Sequence, residues 1–207
     1  MGSEKFVVTV SRRYGCGGRE LAGILADKLG VKLYDRQLIH IAAAKLFTGE
    51  LPDDDLYELA STIPPMDMTF LPFHSFGVKL GSGQYGREIF LAESNVIQRL
   101  AEKKSCVILG RCADYVLREN ENRFSIFVTA DDNFRDKRGL TVYDGKTLQE
   151  MDAENKKRAR YYEYYTNQTW GDSANYDLVV NTSNAPLDKI ADAIISYIDV
   201  LKKIKEA

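Results

Sequence analysis

Apolar positions along this chain follow two patterns: short continuous runs, and longer stretches in which they recur every three or four residues. Continuous runs rich in β-branched residues are typical of buried parallel strands, whereas spacings of three and four are typical of amphipathic helices. The continuous runs predict strands at residues 6–10, 31–35, 106–110, 123–130 and 176–181. The helical spacing predicts helices at 21–29, 36–46, 87–103, 131–139, 147–166 and 186–203, with a short one through Val116 and Leu117.

Strands that alternate with helices at this spacing indicate βαβ units and a parallel sheet. We therefore predict a three-layer, doubly wound α/β fold of about five strands, and the 207 residues fit one domain. Ligands of such folds bind at the carboxyl ends of the strands. Four polar residues are predicted to lie there: Arg12, Asp35, Arg111 and Asn181.

Residues 47–86 depart from the alternating pattern. Four prolines, at positions 52, 64, 65 and 72, interrupt any long helix, and an apolar cluster rich in Met and Phe follows the first of them. This segment is either a lid over a substrate pocket, a surface for a partner subunit, or a peripheral insert packed against the core.

Composition and charge narrow the classes of partner. The formal net charge is −2 and the isoelectric point about 5.8, so no basic field indicates nucleic acid. No apolar run approaches the ~20 residues that span a membrane. The three cysteines show no CxxC spacing, which favours a reduced, cytoplasmic protein. The sequence does not determine an oligomeric state.

The most informative stretch is the glycine-rich turn between the first strand and the first helix, with the sequence SRRYGCGGR. Glycines let backbone N–H groups converge, and a helix N-terminus favours negative charge. Arginine matches the geometry of phosphate oxygens. We predict a phosphate site formed by Ser11, Arg12, Arg13, Gly15, Cys16, Gly17, Gly18 and Arg19.

Known phosphate motifs fit this turn only in part. The dinucleotide fingerprint GxGxxG would need glycine at position 20, where the chain has Glu20. The P-loop motif GxxxxGK(S/T) fits the layout, but its lysine and its Mg²⁺-binding hydroxyl are both missing. A strand, a glycine turn and a helix can also exist simply as a tight connection.

Taken in order along the chain, several segments resemble the cytidylate kinase-like branch of the nucleoside monophosphate kinases. Gly15 and Gly17 match its phosphate loop, Asp35 the acid that ends its second strand, and Gly110-Arg111 its Gly-Arg pair. Arg135 and Arg138 match its arginine-rich helix. The segment from Asn155 to Ser183 resembles the lid and last strand of the uncharacterised members. The resemblance covers most of the chain outside residues 47–86.

The resemblance implies a P-loop kinase-like fold with an arginine-bearing lid at about 140–170. It implies a kinase that transfers the γ-phosphate of ATP, with Mg²⁺, to a nucleoside monophosphate such as CMP or to another small acceptor. It also implies three sets of site residues. The acceptor set is Asp35, Arg36, Arg111 and Arg135. The catalytic set is Arg19, Arg158 and Arg160. The third set is Asn181, which would contact the bound nucleotide.

The chain also departs from the family pattern. Arg12 or Arg19 would have to replace the missing loop lysine, and Ser11 or Asp35 would have to serve as the oxygen ligand of Mg²⁺. Cys112 stands where the family has an aspartate, and Asn155 where the lid has an acid. These departures keep an alternative open, a non-catalytic nucleotide or phosphate sensor on the same scaffold.

Overall fold

The structure of the protein, a computed structural model, describes residues 5–35, 39 and 84–205. The predicted helix at 36–46 and the segment 47–86 therefore lie outside the described residues, apart from Ile39 and positions 84–86. Arg36 also lies outside them.

Five strands form one sheet in which every pairing is parallel, in the order β2-β3-β1-β4-β5. Each predicted strand is present, with ends that differ by up to two residues. The strands are β1 Val7–Arg12, β2 Lys32–Tyr34, β3 Cys106–Leu109, β4 Arg123–Thr129 and β5 Leu178–Asn181. This order differs from the 3-2-1-4-5-6 order of dinucleotide-binding Rossmann domains, which argues against that reading of the glycine turn.

Helices cover both faces of the sheet and confirm the predicted three-layer α/β architecture. They are α1 Gly18–Leu29, α2 Gln84–Lys103, α3 Ala113–Val116, α4 Asp132–Val142, α5 Leu148–Thr166 and α6 Leu187–Lys205. A 3₁₀ turn at Ser173–Asn175 precedes β5. No helix in the described part of the chain combines the length and the apolar character needed to cross a bilayer.

Side chains of β1 alternate between two hydrophobic cores. Val8 and Val10 pack in a core with α1 and α6, whereas Val7 packs in a core with α2 and α3. Because both faces of β1 are buried, this strand lies at the centre of the molecule. Its register places Val10 opposite Leu109 and Arg12 opposite Val128, so the turn after β1 lies beside the carboxyl ends of β3 and β4.

Candidate functional site

The turn after β1 depends on glycine at particular positions. Gly15 and Gly17 have φ angles of 85° and 75°, in the left-handed region that favours glycine. A methyl group at Gly15 would lie 2.7 Å from Sδ of Met151. Gly17 is the N-cap of α1 and supplies no capping side chain. The turn therefore delivers the backbone to the start of α1 with its first N–H groups uncapped by a side chain.

Neighbouring elements hold the turn by hydrogen bonds at its edges. Asn155 on α5 accepts from the N–H of Tyr14 at 2.7 Å, and Arg135 on α4 donates through Nε to the carbonyl of Tyr14 at 2.9 Å. The hydroxyl of Thr182 donates to the carbonyl of Cys16 at 2.6 Å. These contacts from three elements fix the path of the turn.

The backbone N–H groups in the middle of the turn differ from that of Tyr14 in their hydrogen bonding. Those of Gly15, Cys16 and Gly17 donate to no acceptor within the described ranges, although all three residues are buried. Buried N–H groups are rarely left without an acceptor in folded proteins. A set of adjacent N–H groups at a helix start is suited to bind an anion.

Arg12 extends its side chain from the end of β1 across two glycines. A methyl group at Gly18 would lie 2.6 Å from Cβ of Arg12, and one at Gly110 would lie 2.5 Å from its Nη1. Both glycines therefore provide the space that this side chain fills. The guanidinium of Arg12 is thus placed at the edge between β1 and β3.

Arg158, on α5, brings a second guanidinium to the turn. Its Nη1 donates to the carbonyl of Arg12 at 3.0 Å, and its Cζ lies 5.1 Å from the ring centre of Tyr14. Burial lowers the pKa of Arg158. Across the described residues no carboxylate lies within ion-pairing distance of Arg158. A partly desolvated cation without a carboxylate is suited to an anionic ligand.

Cys16 lies at the centre of the turn and is fully buried. Its thiol donates to the carbonyls of Arg13 at 3.0 Å and Val128 at 3.4 Å. Burial raises the pKa of this thiol, against the lowering influence of the guanidiniums of Arg12, Arg158 and Arg138. The thiol therefore stays neutral while three positive groups surround it.

Three predicted phosphate residues have carboxylate partners, namely Arg13, Arg19 and Asn181. Arg13 lies 3.8 Å from Asp132 and 3.6 Å from Asp152, and Arg19 pairs with Asp35 at 2.9 Å. Asn181 donates to Asp131 at 2.9 Å at the exposed end of β5. Arg160 is exposed on α5. The structure thus brings Arg12 and Arg158 together at the turn and places Arg160 and Asn181 at the surface.

Arg135, predicted to bind the acceptor, is fully buried beneath the turn. Besides the carbonyl of Tyr14, its guanidinium donates to Asp132 at 2.8 Å and to Asp152 at 2.5 Å. These partners engage Nε and both terminal nitrogens. A buried guanidinium with all three nitrogens bonded to the protein is typical of a residue that stabilises the fold, here the turn after β1.

Arg111 follows β3 in an unusual backbone conformation. It has a φ of 58°, in the left-handed region, and Cys112 follows with 56°. Its guanidinium forms an ion pair with Glu93 on α2, and Cζ lies 4.7 Å from the ring centre of Tyr161 on α5. The sequence did not identify Glu93 or Tyr161 as a partner of Arg111, since each lies in an ordinary helical pattern.

The two oxygen donors considered for Mg²⁺ are both engaged by the protein. The hydroxyl of Ser11 accepts from the indole N–H of Trp170 at 3.0 Å, and Asp35 pairs with Arg19. Over the part of the chain that the structure describes, no three His, Cys, Asp or Glu side chains are grouped as metal ligands. Ser11 and Asp35 thus each have a protein partner in the structure, and their role in holding Mg²⁺ stays a prediction.

Comparisons with known proteins agree with this architecture. A family model described as the cytidylate kinase-like family matches residues 7–184. No curated protein matches significantly. The chain is similar to a solved uncharacterized protein from Eubacterium ventriosum ATCC 27560, with 26% identity and a TM-score of 0.71, over 94% of this chain and 99% of that chain.

More distant solved structures share the fold. A gluconokinase from Sinorhizobium meliloti 1021 has 13% identity and a TM-score of 0.56, over 98% of each chain. An APS kinase from Mycobacterium tuberculosis, solved in complex with AMPPNP and APS, has 15% identity and a TM-score of 0.51, over 96% of this chain and 99% of that chain. At these identities the likeness is one of fold.

Proposed function

Because this chain belongs to the cytidylate kinase-like family, we propose that it is a phosphotransferase that uses ATP. The γ-phosphate would pass to a nucleoside monophosphate such as CMP or to another small acceptor, bound beside Gly110 and Arg111. The observation that carries this proposal is the guanidinium of Arg158, which lies at the glycine turn without a carboxylate in the described part of the chain.

A polyphosphate would satisfy the groups that the turn leaves without partners. The N–H groups of Gly15, Cys16 and Gly17 would donate to phosphate oxygens, with Gly18 and the start of α1 adding the positive end of the helix dipole. Arg158 and Arg12 would supply the positive charge that a lysine supplies in the P-loop motif. We assign this role to Arg12 because its side chain fills the space that Gly18 and Gly110 leave at the turn.

These residues would act by positioning the phosphates of ATP and neutralising their negative charge. Phosphoryl transfer has a transition state with charge spread over the transferred group, so fixed cations and N–H donors accelerate it without forming bonds to it. Arg135 would act as a positioning residue, because it holds Tyr14 and hence the turn. Arg160 and Asn181 lie exposed, where Arg160 could reach the transferring group on closure of the 140–170 lid and Asn181 could contact the bound nucleotide.

A second function is favoured by two observations at the turn. The loop lysine is missing, and both Ser11 and Asp35 are engaged by other side chains. A protein that binds ATP at the turn without hydrolysing it or transferring phosphate would have the same fold. The experiment must therefore distinguish this sensor from the phosphotransferase.

The separating experiment measures ADP in a coupled assay with the full chain, ATP, Mg²⁺ and a panel of acceptors. The panel contains the nucleoside monophosphates, the corresponding nucleosides and simple polyols. We expect acceptor-dependent ADP production above the rate with ATP alone. Binding of ATP with no ADP from any acceptor would favour the sensor, and absence of ATP binding would refute both functions.

A further inference from the structure

The guanidinium of Arg111 is buried after the end of β3, with donors that make no hydrogen bond. The side chain is 6% exposed, and Glu93 on α2 lies against its Nη2 as an ion pair. Neither Nε nor Nη2 makes a hydrogen bond within the described part of the chain. Because buried polar groups rarely lack a hydrogen-bond partner in folded proteins, this guanidinium is suited to a ligand that accepts hydrogen bonds.

The backbone around Arg111 adds donors of the same kind. Gly110, Arg111 and Cys112 follow one another with φ angles of 77°, 58° and 56°, all in the left-handed region. In residues other than glycine such conformations cost free energy, and they cluster at ligand sites. The N–H groups of Arg111 and Cys112 donate to no acceptor among the residues that the structure describes. Side-chain and backbone donors thus lie together, as they do in anion sites.

The ring of Tyr161 contacts this guanidinium from a third element, the helix α5. Cζ of Arg111 lies 4.7 Å from the ring centre, the distance of a cation–π contact. The hydroxyl of Tyr161 also donates to Glu93 at 3.3 Å, so one side chain contacts both members of the ion pair. An aromatic ring beside a guanidinium restricts its movement and attracts its charge without engaging its hydrogen-bond donors.

We propose that Tyr161 is a positioning residue of the acceptor site, whose ring holds the guanidinium of Arg111 in place for an anionic group of the acceptor. This inference rests on the proposed phosphotransferase function. An arginine that is fixed before binding loses less side-chain freedom when the ligand binds, so the acceptor binds more tightly. In this role Tyr161 acts on the acceptor through Arg111 and forms no bond to the acceptor itself.

The test measures binding of CMP to the full chain by calorimetry, with AMPPNP and Mg²⁺ saturating the nucleotide site. Tyr161→Leu removes the ring, and we expect CMP to bind about tenfold more weakly, as the loss of a desolvated cation–π contact predicts. Tyr161→Phe keeps the ring and should bind CMP within about twofold of the wild type. Equal CMP affinities of Tyr161→Leu and the wild type would overturn the inference, and so would equal losses in the Leu and Phe variants.

The affinity for AMPPNP, measured without CMP, distinguishes a positioning role from a structural one. We expect Tyr161→Leu to leave this affinity unchanged, because the ring contacts Arg111 and not the glycine turn. Tyr164→Leu, on the same helix and 72% exposed, is the matched control and should change neither affinity. A parallel loss of AMPPNP and CMP affinity in Tyr161→Leu would indicate a structural role for the ring and refute the positioning role.

A double-mutant cycle with Arg111→Met shows whether the effect of the ring passes through the arginine. We expect Arg111→Met to weaken CMP binding about tenfold to a hundredfold, the range for losing a charged hydrogen bond. Adding Tyr161→Leu to Arg111→Met should cause no further loss, because the ring then has no guanidinium to hold. A double variant that loses as much again as Tyr161→Leu alone would show that Tyr161 acts independently of Arg111 and would refute the inference.

These binding measurements are independent of turnover. A lack of ADP with every acceptor would refute the phosphotransferase and leave the Tyr161 test standing. If Tyr161→Leu does not fold, Tyr161→Met, which fills more of the space of the ring, replaces it with the same expectations. If CMP does not bind to the wild type, inorganic phosphate replaces it as the probe, and a wild type that binds neither would overturn the inference.

Discussion

Gly18 shows at the scale of one residue how closely the turn is built around Arg12. A methyl group there would lie 2.6 Å from Cβ and 2.9 Å from Cγ of Arg12. Those atoms are close to the backbone of β1, so they cannot move away by rotating the end of the side chain. The glycine is therefore required by the path of Arg12, and not by its own φ angle.

We predict that Gly18→Ala weakens ATP binding about tenfold or more and lowers the free energy of unfolding by about 1–3 kcal/mol, as overpacking does. Gly23→Ala, in the same helix, is the control, because a methyl group there meets no atom within 4 Å. It should raise stability by about 0.5–1 kcal/mol and leave ATP binding unchanged. Urea denaturation and calorimetry measure both effects, and equal ATP affinities in the two variants would contradict the assignment.

Arg135 is the residue for which sequence and structure suggest different roles. Replacing it with Met removes donors to Tyr14, Asp132 and Asp152. We expect a loss of about 2–3 kcal/mol in the free energy of unfolding. This is less than the ~3–5 kcal/mol lost when one partner of a fully buried ion pair is removed, because the carboxylates of Asp132 and Asp152 are partly exposed and can be hydrated. Arg160→Met at an exposed site should change stability by less than about 0.5 kcal/mol. Unchanged stability with a raised acceptor KM would instead support acceptor binding by Arg135.

At the scale of elements, α3 and α5 are joined by a buried carboxylate. The hydroxyl of Tyr162 on α5 donates to Asp114 on α3 at 2.6 Å. Burial raises the pKa of the Asp114 carboxyl, and the hydrogen bond from Tyr162 opposes this only in part. The folded protein therefore holds the proton of Asp114 more tightly than the unfolded chain does.

The sign of the pH dependence follows from this difference. Between the unfolded pKa of Asp114, near 3.8, and its higher folded pKa, the native state binds more protons, so its contribution to stability falls as pH rises. Asp114→Asn removes this contribution, and we expect its stability above pH 4 to decline less with pH than that of the wild type. Urea unfolding at a series of pH values measures it, with Asp199→Asn on the exposed face of α6 as control. Parallel pH profiles for Asp114→Asn and wild type would refute the raised pKa.

The elements themselves could be predicted from the sequence because they depend on local patterns. All five strands were placed to within two residues, since runs such as Val7 to Val10 and Cys106 to Leu109 are continuously apolar. The partners of the arginines could not be predicted, because they come from distant parts of the chain. Arg135 meets Tyr14 across 121 positions, and no periodic pattern encodes that meeting.

At the scale of the whole molecule, the resemblance to the cytidylate kinase-like family is confirmed, and so is the three-layer fold. The order of motifs along the chain carried this inference, because each motif follows a strand whose carboxyl end lies at one edge of the sheet. The pairing of Arg111 with Glu93, by contrast, depends on how α2 packs against the sheet. The helical pattern of α2 does not indicate which of its polar residues faces Arg111.

The same edge of the sheet gathers the turn, Arg12, Arg111 and α5 around β1. Arg158 from α5 reaches the turn, and Tyr161, one turn further along α5, covers Arg111. One helix thus contacts both the proposed phosphate site and the proposed acceptor site. Such an arrangement would couple the two sites if α5 moves with the bound nucleotide.

The most direct test is calorimetric binding of AMPPNP with Mg²⁺ to the wild type, Arg158→Ala and Lys156→Ala. The account predicts that Arg158→Ala weakens binding about tenfold to a hundredfold, the range for losing a charged hydrogen bond. Folding stability should change by less than about 1 kcal/mol, because removal of a desolvated cation offsets the lost hydrogen bond to the carbonyl of Arg12. Lys156→Ala, at an exposed position of the same helix, should bind like the wild type. Equal affinity of Arg158→Ala and wild type would contradict the proposed phosphate site.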